Sequence, residues 1–112
     1  MNKIEIMGRL TRDVEIRESK NKKISVYTFT LAVPRKNDKE KTDFINCVAF
    51  SNLGEIIKKY TTKGKRIIVC GSLNIDNYED KDGNTKQYVS VIVDDFYFAD
   101  VTVTGEQQKL PM

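Results

Sequence analysis

Apolar and polar residues alternate with a period of two through most of this chain, and in one place the period becomes that of a helix. In residues 3–10, Ile4, Ile6 and Gly8 alternate with Glu5, Met7 and Arg9. That alternation predicts a strand, because successive side chains of a strand point to opposite faces. A glycine inside it predicts a bulge or a close backbone approach. Extended character continues toward Arg17, and residues 18–23 read as a polar, lysine-rich turn. A second strand is expected over residues 24–33, with Tyr27, Phe29, Leu31 and Val33 inward and Pro34 closing it. Residues 35–42 form a charged loop. A third strand over residues 43–50 carries Ile45, Cys47 and Ala49 on an apolar face and Phe44, Asn46, Val48 and Phe50 on the other. Leu53, Ile56, Ile57 and Tyr60 then fall at i, i+3, i+4 and i+7, one stripe of a short helix. Asn52 with Glu55 resembles a capping box, and Gly64 is a stop signal.

Strand alternation returns over residues 66–78, with Ile67, Val69, Gly71, Leu73 and Ile75 inward. Asp82-Gly83 marks a hairpin turn. A fifth strand over residues 86–98 puts Val89, Val91 and Val93 inward, with a bulge expected at Asp94-Asp95. Phe29, Tyr60, Phe96 and Phe98 are assigned to the core, while Tyr88 and Tyr97 are left open. Three strands, a short helix and two strands in so short a chain fit an all-β, five-stranded OB barrel, with the helix plugging one end between strands 3 and 4. An SH3-like barrel or an open α+β sheet is the alternative, and the position of the helix favours OB.

The chain has 112 residues, enough for one domain and too few for two. We expect that domain over residues 1–100 and a loose C-terminal segment over residues 101–112. No run approaches the roughly 18 apolar residues of a membrane span, and the N-terminus lacks an apolar signal core. A cytoplasmic location is expected, with no membrane partner. The net charge is +3, but residues 1–66 carry +8 and residues 67–112 carry −5. A basic first half suits a polyanion, although a solvated surface would look the same. The chain has two cysteines and no histidine. Cys47 sits on an apolar face and Cys70 on the opposite parity to its apolar neighbours. Neither a structural disulfide nor a zinc site is expected.

Phe44 and Phe50 are the candidate chemistry. They share a face with an amide, which suits exposure better than core, and a basic Lys63-Gly64-Lys65-Arg66 run follows the helix. Rings beside cations offer single-stranded nucleic acid a π-face for bases and positive charge for phosphates. The carboxylates Asp76, Glu79, Asp80 and Asp82 would be the only basis for a metal-dependent nuclease. They read as a polar hairpin tip, since two-metal catalysis needs carboxylates converging from separate elements. With no histidine for acid–base or triad work and no phosphate-binding Gly-x-x-x-x-Gly-Lys loop, the chain reads as a non-enzyme. No cofactor and no metal are expected.

Several stretches, in order, resemble the bacterial single-stranded DNA-binding proteins up to about Phe98. They are Met1-Asn2-Lys3-Ile4, Gly8-Arg9-Leu10-Thr11-Arg12-Asp13, Phe29-Thr30-Leu31-Ala32-Val33, Thr42-Asp43-Phe44-Ile45-Asn46-Cys47-Val48-Ala49-Phe50, Lys63-Gly64 and Tyr78-Glu79-Asp80. The resemblance implies an OB-fold homotetramer, or a dimer, that coats single-stranded DNA in replication, recombination and repair. It implies base stacking on Phe44, Phe50 and Tyr78, with Lys63 near the DNA path. Arg9, Arg12, Arg35 and Lys36 are added as candidate phosphate contacts. The chain departs from the family pattern in the ring-less loop after strand two and in Asp76 and Asn77 before Tyr78. It also lacks a glycine-rich linker and an acidic, hydrophobic-tipped tail. Tail-mediated repair and replication partners are therefore not expected, whether the chain is a shortened one or a natural short form such as a plasmid or phage version. The runner-up is a primosome-type OB assembly module that binds nucleic acid weakly.

Overall fold

A computed structural model describes residues 1–18 and 23–100. Most of the expected lysine-rich turn and the expected loose segment over residues 101–112 lie outside the described residues. The elements run β1 (Ile4–Leu10), β2 (Glu15–Glu18), β3 (Ser25–Pro34), β4 (Thr42–Phe50), α1 (Ser51–Tyr60), β5 (Arg66–Glu79) and β6 (Thr85–Phe98). Five of the strands close a hydrogen-bonded ring. β1 pairs with β5, β5 with β6, β6 with β4, β4 with β3, and β3 returns to β1 through Arg9↔Ala32 and Leu10↔Leu31. All these pairings are antiparallel except β4–β6, which is parallel through Asn46↔Ser90, Cys47↔Val91 and Val48↔Ile92.

The sequence implied five strands. The sixth, β2, is the extended stretch toward Arg17, which pairs with β3 from Glu15↔Thr28 to Glu18↔Ser25. All four of its residues are exposed, so no apolar alternation announces it.

Alternation places the core as expected in β3 and β4. Tyr27, Phe29, Leu31, Cys47 and Ala49 are buried, and they meet Leu10, Val14, Ile67, Val69, Val91 and Val93 inside the ring. Gly8 makes the close approach its position implied. A Cβ there would lie 2.7 Å from the Ala32 carbonyl oxygen, where β1 and β3 meet. The bulge at Asp94-Asp95 also forms. Cys70 pairs with Asp95 and Gly71 with Val93, so Asp94 has no partner across the ladder.

The helix differs from expectation at both ends. It starts at Ser51, with extended Phe50 as N-cap and no side-chain cap hydrogen bond. The Asn52–Glu55 capping box therefore does not form. The corner is made instead by Ser51 in the left-handed region, at φ 52°. The C-cap is Thr61, whose hydroxyl donates 2.6 Å to the Ile57 carbonyl, ahead of Gly64. Ile57 and Gly54 face the core, and Gly54 lets the helix lie on Tyr27. Ile56 and Tyr60 are exposed, because the buried stripe runs along Leu53, Gly54 and Ile57 rather than through all four expected positions.

Four other residues assigned inward are exposed: Phe98, Leu73, Ile75 and Val89. The last three lie where the β5–β6 hairpin outruns the ring. β1 covers β5 only up to Gly71, and β4 covers β6 only over Ser90–Ile92. Beyond those points the inward-parity face has no second layer to pack on.

Both cysteines are free. Burial pushes the Cys47 thiol up to about 12. Cys70 lies half-buried on the outer face, and its thiol is raised by partial desolvation and then by Glu5, to which it donates at 3.6 Å. The reactive species is the thiolate. With Ellman's reagent near pH 8, Cys70 should react slowly in the native protein and Cys47 only after unfolding. A Cys70→Ser variant that still releases colour before unfolding would contradict this burial pattern.

Candidate nucleic-acid interface

The outward row of β4 is fixed by its partners. Phe44 stands opposite Ala32, Asn46 opposite Thr30, Val48 opposite Thr28 and Phe50 opposite Val26. These small or β-branched neighbours do not roof the aromatic rings. Phe44 is 64% exposed and Phe50 42%. Asn46, between them, is pinned on both sides. Its carbonyl accepts from the Thr30 hydroxyl at 3.3 Å, and its amide donates to the Val89 carbonyl at 3.4 Å.

The same face continues across the parallel pairing onto β6 and then β5. Asn46 pairs with Ser90 and, two residues back on the same parity, Tyr88 faces Asp76 and Lys86 faces Tyr78. Tyr78 is half exposed. The hairpin therefore carries Tyr78 outward on the sheet surface that bears Phe44 and Phe50. Tyr88, left open by the sequence, belongs to this face as well. Its parity with Lys86 was a usable signal only once the β4–β6 pairing was known. Beside Asn46 lies a small polar depression of about 80 Å³, lined in part by Arg12, Arg17, Thr28, Thr30, Asn46 and Tyr88.

The candidate cations fall into two groups. Lys36 and Lys63 are exposed, and neither has an ion-pair partner among the described residues. The Lys63 backbone N–H donates 2.7 Å to Asp13, which fixes the loop while leaving the ammonium group free. The three arginines are committed. Arg35 forks onto Asp43 at 3.0–3.2 Å, clamping the base of the β3–β4 turn. Arg12 lies 3.4 Å from Glu15. Arg9 bonds to Asp100 at 3.3 Å and to the Gly64 carbonyl at 3.0 Å. Hydrogen bonding from the Arg66 backbone, with Arg9 and Arg66 nearby, holds the Asp100 carboxyl below its ordinary value. A phosphate reaching any of these arginines competes with a carboxylate already in place.

The acidic hairpin tip serves the turn. Asp80 accepts from the backbone N–H groups of Asp82 and Asn84 at 2.9 Å each and pairs with Lys86 at 3.7 Å. Among the described residues no group of three or more carboxylate or thiol side chains could hold a metal ion.

Known proteins share both sequence and fold with this chain. A single-stranded DNA-binding protein of Clostridium perfringens is 42% identical over 100 residues, covering 89% of this chain and 67% of that protein. Single-stranded DNA-binding protein 2 of Staphylococcus aureus strain Mu50 is 39% identical over 102 residues, covering 88% and 72%. The solved structure of Plasmodium falciparum SSB in complex with ssDNA superposes with a TM-score of 0.74 at 30% identity, over 89% of this chain and 96% of that one. It carries the OB architecture that the strand order implied. The model of the single-strand binding protein family matches residues 1–99, and this chain belongs to that family.

Proposed function

We propose that the chain binds single-stranded DNA without regard to sequence, stacking bases on Phe44, Phe50 and Tyr78 while cations hold the phosphates. The observation that carries this reading is the exposure of both phenylalanines in one β4 row, on either side of Asn46, which lines a polar depression together with Arg12 and Arg17. Stacking tolerates any base because every base has a π-face. Duplex DNA hides those faces. Among the candidate contacts, Lys63 and Lys36 are free to track the backbone, with Arg9, Arg12 and Arg35 available in exchange for their carboxylates. The chemistry is binding and protection in replication, recombination and repair rather than catalysis.

The working unit is a homo-oligomer, a tetramer or a dimer. β1 pairs with β5 from Ile4 to Arg9 but with β3 only at Arg9 and Leu10. The rest of its second edge is unpaired among the described residues, a ready template for a second copy. Light scattering tests this, and a monomer at micromolar concentration would overturn it.

Fluorescence anisotropy of labelled oligo-dT, titrated at several salt concentrations against duplex competitor, tests the binding itself. Tight binding that duplex cannot displace is expected. The assembly-module reading draws on Asp76 facing Tyr88 and on the committed arginines. It predicts weak binding that duplex displaces as well as single strand does.

A further inference from the structure

We infer that the face formed by the C-terminal end of α1 and the loop leading into β5 is a second single-strand contact, at which DNA leaving the β4 face stacks on Tyr60 and Phe98 between Lys59 and Lys65. This rests on the single-strand reading above and extends it to residues outside the β4 face.

Residues 58–66 hold five basic side chains and no acidic one. Arg66 is taken by Asp100. Lys58, Lys59 and Lys63 are exposed and Lys65 is half-buried, and none of the four lysines has an ion-pair partner among the described residues. A run of unpaired cations costs stability through mutual repulsion unless an anion joins it. Two of these lysines stand by rings. Lys59 Nζ is 5.4 Å from the Tyr60 ring centre, and Lys65 Nζ is 5.6 Å from that of Phe98. Tyr60 is 55% exposed and Phe98 48%. Phe96 holds the Phe98 ring edge-on, at 5.4 Å and 79°. Two open rings, each beside a cation, repeat the chemistry of the β4 face.

A groove beside Tyr60 offers about 360 Å³ between Asn52, Glu55, Ile56, Lys59 and Tyr60. Ile56 supplies an apolar floor. Asn52 and Glu55 offer hydrogen bonds to base edges. Glu55 would repel a phosphate, which places the base in the groove and the phosphate toward the lysines.

The two faces are joined by covalent and hydrogen-bonded continuity. The loop is sewn to the end of β1: Gly64 N–H donates to the Leu10 carbonyl at 2.8 Å, and Leu10 N–H donates to the Lys65 carbonyl at 2.9 Å. Lys63 N–H reaches Asp13, next in sequence to Arg12, which lines the depression on the β4 face. On this reading a strand leaving Arg12 crosses the segment that carries Lys63 and continues toward the two ring-and-lysine pairs.

The test compares oligo-dT of about 6 and about 16 nucleotides, within the range one OB fold covers. Tyr60→Ala should weaken binding of the longer oligonucleotide about fivefold or more and leave the shorter one unchanged. The Lys59→Ala/Lys65→Ala double variant should flatten the salt dependence for the longer one only, by about 0.7 in log–log slope per lysine. Neither variant touches the core, and circular dichroism checks the fold. Unchanged binding of both lengths would overturn the proposal and leave the patch to an acidic protein partner. Equal loss on both lengths would overturn it too, because the patch would then belong to the primary face. Failure of the single-strand reading itself looks different: the unaltered protein would bind neither length tightly.

Discussion

Phe44→Ala weakens oligo-dT binding by about 1–3 kcal/mol, the worth of one base stacked on an aromatic ring, or about 5- to 150-fold in Kd. The ring is 64% exposed and stands across from Ala32, so its removal opens no cavity and the melting temperature should hardly move. Because no charge is lost, the slope of log affinity against log salt should be unchanged. Lys63→Ala should do the reverse, lowering that slope by about 0.7 with a smaller loss of affinity at low salt. Phe44→Tyr keeps the π-face and should bind like the parent. Phe50→Ala should also weaken binding, but Phe50 is only 42% exposed and lies at the strand-to-helix corner. Part of its effect will therefore appear as stability. Anisotropy titrations of the four variants, read beside their melts, separate these effects. If Phe44→Ala binds like the parent while Lys63→Ala does not, stacking is not the mechanism and the surface is an electrostatic one.

The parts of this fold visible in the sequence are those set by local alternation. β3 and β4 show it plainly: Phe29, Leu31, Cys47 and Ala49 are inward and Phe44 and Phe50 outward, as period two requires. The Asp94 bulge was visible because two adjacent acids break the apolar parity of β6. What stayed hidden depends on where partner strands end. Leu73, Ile75 and Val89 have core-like parity, yet they lie beyond the reach of β1 and β4, and no local pattern records how far a neighbouring strand extends. Tyr60 and Phe98 misled for a similar reason: a ring in an apolar stripe reads as core until the missing layer is known. Tyr88 needed the parallel β4–β6 pairing, a contact between segments some forty residues apart. The arginines were legible as cations but not as partners, since Arg9 meets Asp100 and Arg35 meets Asp43 only after the strands register.

Gly71→Ala should be the most destabilising single-methyl change, costing about 3 kcal/mol. At Gly71 the ladder shifts register: β5 takes Val93 after Asp95, and β1 makes its last pairing, Ile4↔Gly71. A Cβ here would lie 1.9 Å from the Ile92 carbonyl oxygen, 2.8 Å from its carbonyl carbon and 3.1 Å from the Val93 Cα. Every one of these atoms is backbone, so no rotamer change relieves the overlap. β5 and β6 must part, and overpacking that shifts backbone sits at the upper end of the usual 1–3 kcal/mol range. Gly54→Ala is the instructive contrast. Its Cβ would meet the Tyr27 ring, 2.2 Å from Cδ1, a worse contact with one side chain than most of those at Gly71. The overlap also reaches Tyr27 Cγ at 2.5 Å and Cβ at 2.8 Å, so the helix must lift from β3. But alanine favours a helix over glycine by about 1 kcal/mol, which offsets part of that cost and leaves an expected net loss of about 1–2 kcal/mol. Thermal melts at one fixed protomer concentration should show Gly71→Ala falling by about 12 °C or more and Gly54→Ala by about half that. The reverse order would mean that the β5–β6 joint yields more easily than the packing of the helix on Tyr27.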